Sequence, residues 1–143
     1  TERIKDLFKT SNGKYIAPQM IESLLLVDKF VDQIAVIADQ RKFVSALIVP
    51  EFNTLEKWAR DKGIFYNSLE ELCANQEIND MMKERIDTLL QGLANYEKIK
   101  RFTLLPHHFA METGELTNTL KMRRPVIYKK HKDIIDKMYE ENQ

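Results

Sequence analysis

RIKDLFKTSNGKYIAPQMIE, residues 3–22, brings a charged entry, a tight turn and a proline-started helix together in one short stretch. It reads as strand, turn, strand, helix. Ile4, Leu7 and Phe8 flank the charged Lys5, Asp6 and Lys9. Ser11-Asn12-Gly13 supplies turn chemistry, because Asn and Gly tolerate the positive φ that a tight hairpin needs. Tyr15-Ile16-Ala17 is short and β-prone. Pro18 suits the first turn of a helix, where its missing N–H leaves nothing unsatisfied.

Working outward, the helix begun at Pro18 is predicted to run to about Phe30, with Ile21, Leu24 and Leu25 on one apolar stripe. Val31 to Ala38 is an apolar run typical of a buried strand, and Phe43 to Val49 is a second, closed by Pro50. The connection Asp39 to Lys42 is too short for a crossover, so this pair is expected to be antiparallel. Asn53 to Lys62 is helical in pattern, with Asn53 or Thr54 as cap and Gly63 as stop. Ser68 with Glu71 fits a capping box and predicts a short helix to about Ala74. Glu77 to Leu93 carries Ile78, Met81, Met82, Ile86, Leu89, Leu90 and Leu93 on one helical face. Ile99 to Leu105 is a third core strand, ended by Pro106. His107 to Gly114 reads as loop and Leu116 to Met122 as polar and irregular. Pro125 then opens a last helix with Ile127, Ile134, Ile135 and Met138 on one face. The expected fold class is α+β: an N-terminal β-hairpin plus a small central three-stranded sheet flanked by helices.

The chain's 143 residues suffice for one domain with a real core. Its 22 basic and 22 acidic residues cancel, so net charge points to no polyanionic partner. Cys73 is the single cysteine, which excludes an internal disulfide and fits a reducing compartment. No apolar run approaches a membrane span, and no signal peptide is visible. His107, His108, His131 and Cys73 match no metal-ligand spacing, so no metal site is expected. The run Lys121, Arg123, Arg124, Lys129, Lys130, Lys132 meets no acid before Asp133. It reads as a solvated basic face or as a contact for the phosphates of a ligand, an anionic membrane or RNA. With Tyr128 as its one aromatic residue, base stacking is disfavoured. No Gly-rich phosphate loop and no Ser/His/Asp set appears.

Two segments resemble a known family. Residues 3–22 match most positions of (G/D)RxKDxIKTxxGKYVxPxxIE, the hinge and first hairpin of the C-terminal domain in long-chain fatty acyl-CoA synthetases. LTNTLKMRRP, residues 116–125, resembles the LTPTLKxKRP segment of the same group. Glu2 stands where that pattern has Gly or Asp, and Asn12 where Gly is commoner. The resemblance spans nearly the whole chain and implies that residues 1–143 are the C-terminal lid domain of a larger adenylate-forming acyl-CoA ligase. The adenylation domain that normally precedes it in the same chain would be its principal partner.

What the resemblance implies about chemistry is specific. The parent enzyme would convert fatty acid and ATP to acyl-AMP, then form the thioester with coenzyme A after the lid rotates. Lys121 would act in adenylation and touch the nucleotide, and Arg3 would contact the ribose. Lys5 would be the hinge. Lys9 would serve the second half-reaction, with Ser11, Asn12, Gly13 and Lys14 lining the coenzyme A passage. Mg2+ would be held mainly by the preceding domain. A cytoplasmic location with peripheral membrane contact, and no nucleic-acid partner, is expected. The alternatives are another acyl-CoA ligase, or a non-catalytic basic module on anionic membrane or RNA.

Overall fold

The structure is a computed structural model that describes residues 7–140. Arg3 and Lys5 lie outside the described residues. Strands β1 (Phe8–Lys9) and β2 (Tyr15–Ile16) form an antiparallel hairpin with Phe8 opposite Ile16. Helix α1 (Pro18–Leu26) follows at once, with Pro18 in its first turn. It ends four residues before the expected Phe30, and the chain turns through Asp28 and Phe30 into the sheet.

The central sheet has the order β3-β4-β5, from β3 (Val31–Ile37), β4 (Val44–Pro50) and β5 (Ile99–Leu104). β3 and β4 are antiparallel, as their short connection requires, and β5 is parallel to β4. A parallel neighbour needs a long crossover. Here the crossover carries α2 (Phe52–Asp61), α3 (Leu69–Ala74) and α4 (Gln76–Leu89). The sheet is covered on both faces, which explains why β4 is buried at every position. Ile34, Val36, Val44, Ala46 and Ile48 pack into one core with α1 to α4. Ala35, Ile37, Leu47 and Val49 point the other way, into a second core with Ile127, Ile135 and Met138. The alternation along each strand divides the molecule into three layers.

Local departures from the sequence reading have identifiable causes. Helix α2 is capped by Glu51, whose carboxylate accepts from Asn53 N at 3.2 Å, and neither Asn53 nor Thr54 takes that place. Ser68 caps α3 as expected, accepting from Glu71 N at 3.1 Å. Asn75 caps α4 one residue earlier than expected, and α4 ends at Leu89 rather than Leu93. The last helix is two: α5 (Arg124–Lys130) and α6 (Lys132–Met138), divided at His131. Leu116–Met122 is not irregular, because an antiparallel bridge joins Leu116 to Met122 and closes a tight hairpin.

Candidate functional site

The hairpin tip is a five-residue turn, Thr10-Ser11-Asn12-Gly13-Lys14. Thr10 N donates to Lys14 O at 2.9 Å, Gly13 N to Thr10 O at 2.9 Å, and Lys14 N to the Thr10 hydroxyl at 3.1 Å. Gly13 sits at φ +83, where side chains other than glycine's are strained. The turn is pinned to the β3–β4 connection mainly by backbone: Gln40 N donates to Lys9 O at 2.7 Å and Ser11 N to Arg41 O at 2.9 Å, while the Asp39 carboxylate accepts from Lys9 N at 3.4 Å. Thr10 is buried while Ser11, Asn12, Gly13 and Lys14 are exposed. The Lys9 ammonium lies 5.7 Å from the Tyr15 ring centre, and that of Lys14 lies 5.3 Å from Tyr96. A Cβ built at Gly13 meets nothing within 4 Å among the described residues.

Thr117-Asn118-Thr119-Leu120-Lys121 repeats that turn bond for bond. Thr117 N donates to Lys121 O at 2.8 Å, Leu120 N to Thr117 O at 2.9 Å, and Lys121 N to the Thr117 hydroxyl at 3.1 Å. The fourth residue again has positive φ, +64, although it is leucine. Lys121 is exposed, and its ammonium has no hydrogen-bonding or ionic partner among the described residues. A lysine whose backbone is held by two hydrogen bonds and whose charge is unspent can meet an anionic group with little reorganisation. No hydrogen bond or ion pair joins the two turns among the described residues, so the structure keeps Lys121 and the Lys9–Lys14 group on separate turns.

Behind the turns lie ion pairs whose buried acids, Glu22 and Glu115, the sequence reading did not single out. Glu22, on α1, receives two hydrogen bonds from Arg124 at 2.7 and 2.8 Å, and one from Val36 N at 2.8 Å. Tyr128 donates to Val36 O at 2.6 Å. Glu22 and Tyr128 therefore satisfy both outward backbone groups of Val36 on the edge strand, which otherwise invites pairing with another chain. Burial works against the Arg124 charge, but the hydrogen bonds and negative charge of Glu22 outweigh it and hold the guanidinium above its ordinary pKa. Burial pushes the Tyr128 hydroxyl up to about 12.

At the base of the Lys121 turn the Glu115 side chain is 2% exposed. It accepts from His131 Nε2 at 2.8 Å and from the Thr113 hydroxyl, and Lys130 lies 3.5 Å away. Burial opposes ionisation, yet the Thr113 and His131 hydrogen bonds and the Lys130 charge outweigh it and hold the carboxyl below its usual value. These contacts refine the reading of a solvated basic run: five of its six cations are exposed, and Arg124 is the exception. Arg124 is spent on Glu22, Lys130 on Glu115, and Lys132 on Asp136 at 2.6 Å. What remains unpaired among the described residues is Lys121, Arg123 and Lys129. Among the described residues no group of three or more His, Cys, Asp or Glu side chains is placed to hold a metal ion, so this donor set does not fit Mg2+. Cys73 is buried, and burial raises its thiol to about 11. A cavity of about 480 Å³ opens beside the hairpin between Phe8, Arg41, Arg124 and Tyr128, and none of the lysines singled out above except Lys132 of the basic run lines it.

The buried ions had faint signals in the sequence. Glu22 falls on the same helical stripe as Pro18, Ile21 and Leu25, all buried. An acid on an apolar stripe needs a partner. Arg124 opens a helix, where a cation is unfavourable unless paired.

Comparison with known proteins bears on this geometry. The family model for the AMP-binding enzyme C-terminal domain matches residues 5–143. Long-chain-fatty-acid–CoA ligase 1 of Homo sapiens is 36% identical over 141 residues, covering 96% of this chain and 20% of that protein. The peroxisomal long chain acyl-CoA synthetase 7 of Arabidopsis thaliana is 32% identical over 143 residues, covering 98% of this chain and 20% of that protein. The chain thus spans about a fifth of the length of these relatives. The adenylation domain of a carboxylate reductase from Mycobacterium chelonae superposes with a TM-score of 0.78 at 21% identity, over 96% of this chain and 20% of that one. The adenylation and carrier didomain of a carboxylic acid reductase from Segniliparus rugosus, in complex with AMP, gives 0.76 at 22% identity, over 97% and 18%. With hairpin, three-stranded sheet and lysine-bearing turns all in place, the chain belongs to the family of AMP-binding enzyme C-terminal domains.

Proposed function

We propose that this chain is the mobile C-terminal lid of a long-chain fatty acid–CoA ligase. The observation that carries the reading is the Thr117–Lys121 turn, which presents an exposed lysine with its backbone held and its charge unpaired. The long-chain ligases among its relatives support the substrate class. In the first half-reaction a fatty acid carboxylate oxygen attacks the α-phosphorus of ATP. The α–β phosphoanhydride bond breaks, and pyrophosphate leaves with its electron pair. Lys121 stabilises the negative charge that builds on the α-phosphate, and Arg3 holds the ribose.

In the second half-reaction the coenzyme A thiol sulfur attacks the acyl carbonyl, loses its proton, and AMP leaves. The lid turns about Lys5 between the two, so that Lys9 and the Ser11–Lys14 tip replace Lys121 at the reacting centre. Mg2+, when bound, would neutralise phosphate charge from the preceding domain, and no step of this chain runs through it. A basic module for anionic membrane or RNA is the weaker reading, because three of the six cations in the run are already paired with Glu22, Glu115 and Asp136.

The test is Lys121→Ala in the full-length ligase. Loss of a charged contact to the transition state costs about 3–4 kcal/mol, so ATP–pyrophosphate exchange should fall by about 10²–10³. Thioester formation from supplied acyl-AMP should stay near the wild-type rate. Equal loss in both half-reactions would refute this division of labour.

A further inference from the structure

The Lys121 turn is carried by two limbs, the second of which runs straight into α5. Residues 115–117 and 121–123 run antiparallel: Arg123 N donates to Glu115 O at 2.8 Å, Leu116 bridges Met122, and Thr117 N donates to Lys121 O at 2.8 Å. The first limb is fixed to the body of the domain at Glu115, whose carboxylate is 2% exposed and receives His131 Nε2, Lys130 Nζ and the Thr113 hydroxyl. His131 is the residue that divides α5 from α6, so the clamp reaches the junction of two helices. The His131 ring also lies 6.1 Å from the Phe109 ring. Phe109 is tied in turn to the edge strand, where its N–H donates to the Gln33 side chain at 2.7 Å and its carbonyl accepts from that side chain at 3.2 Å. A continuous path of contacts runs from β3 through Phe109, His131 and Glu115 to the limb that carries Lys121.

A leucine at position 115 would seal the same space. Buried ion pairs are often no more stabilising than well-packed apolar groups of similar volume. What a carboxylate adds is direction: its oxygens accept from His131, Lys130 and Thr113 only in one register of the limb. We propose that Glu115, clamped by His131, is a positioning residue that sets the register of the Lys121 turn for the adenylation step. It touches no reacting atom and acts through the backbone it fixes. The proposal rests on the reading of Lys121 given above. Displacing a catalytic group by about 1 Å can cost up to a hundredfold in rate.

The experiment uses the full-length ligase with Glu115→Leu, His131→Phe and His131→Gln beside Lys121→Ala. The expected result for Glu115→Leu and His131→Phe is a kcat for ATP–pyrophosphate exchange lower by about ten- to a hundredfold, with KM for ATP within about twofold. Thioester formation from supplied acyl-AMP stays near wild type. Amide hydrogen exchange quickens at Lys121 and Arg123 and not at Lys14. His131→Gln, whose side-chain amide can still donate to Glu115, recovers most of the rate.

Equal loss in both half-reactions for Glu115→Leu and His131→Phe makes the clamp merely structural and overturns the proposal. So does normal adenylation in both variants while Lys121→Ala is inactive, a result that leaves the Lys121 reading standing. Normal adenylation in Lys121→Ala overturns the Lys121 reading and the clamp with it. Should Glu115→Leu fail to fold, His131→Phe decides between these outcomes alone.

Discussion

The turns TSNGK and TNTLK are the same piece of backbone attached to the molecule in two ways. Both close with a threonine hydroxyl accepting from the lysine four residues on, and both place their fourth residue at positive φ. The Lys14 turn is fastened chiefly by main-chain hydrogen bonds to Gln40 and Arg41, with one longer bond from Lys9 N to the Asp39 carboxylate at 3.4 Å. The Lys121 turn is fastened through Glu115, His131 and Lys130, which carry or can gain charge. One lysine is thus presented mainly by main-chain scaffolding, whereas the other depends in addition on a buried, titratable side-chain cluster. Presentation of a lysine needs only the five-residue turn, whereas its sensitivity to conditions is set by what holds the turn's base.

The fourth position is the sharpest place to break this equivalence. A leucine at φ near +60 carries about 1–2 kcal/mol of steric cost, which glycine avoids. Gly13→Leu should therefore carry about 1–2 kcal/mol of strain, offset by about 0.4–1 kcal/mol because leucine restricts the unfolded chain, with no described residue within 4 Å of a Cβ there. The reverse change, Leu120→Gly, relieves the same strain. It also frees the unfolded chain, which offsets about 0.4–1 kcal/mol. Urea unfolding should then show a net loss for Gly13→Leu and a net gain of similar size, about 1 kcal/mol, for Leu120→Gly. Equal losses in the two would mean that the exposed Leu120 side chain supports its turn, and that the turns are alike only in outline.

The threonine swap is smaller. Thr10 is 6% exposed, so Thr10→Val strips the Lys14 N–H of an acceptor in a dry place and should cost about 1 kcal/mol. Thr117 is half-buried, and water can replace its hydroxyl at the Lys121 N–H. Thr117→Val should move the unfolding midpoint less than Thr10→Val does, while slowing adenylation in the full-length ligase. A larger stability loss at Thr117 would reverse the order of the two anchors.

These two turns also mark how far the sequence could be read. The hairpin is local, and Asn12-Gly13 announces it without any knowledge of distant residues. The apolar runs at Val31–Ala38 and Phe43–Val49 likewise declare two buried strands, and their short link forces antiparallel pairing. Leu120 gives no such signal, because leucine seldom adopts positive φ, and the turn exists only once Leu116 and Met122 are bridged. The parallel placement of β5 depends on where a crossover of about fifty residues delivers the chain. The pairs Glu22–Arg124 and Asp28–Arg85 join residues 102 and 57 positions apart. No local pattern couples such partners, so Arg124 reads in sequence as one more solvated cation. The division of the last helix escaped for a related reason: Pro125 to Met138 contains no breaker, and the interruption coincides with a residue bonded to Glu115.

The two kinds of anchor separate most cleanly, though with the smallest effect, under acid. The Glu115 carboxyl is held below its ordinary value in the folded chain, so the unfolded chain binds its proton first as pH falls. Its stabilising contribution is therefore full above the ordinary glutamate pKa of about 4.3, and is lost as pH drops through the lower folded value. Glu115→Gln cannot titrate. In urea titrations of this chain from about pH 5 downward, the stability gap between wild type and Glu115→Gln should narrow as acid protonates the wild-type carboxyl. Amide exchange should report the same loss locally. Corrected for the intrinsic pH dependence, protection at Lys121 should fall over that interval and protection at Lys14 should not. Parallel loss at both lysines would mean that acid loosens the whole domain, and that the contrast between main-chain and titratable anchoring has no consequence for the turns.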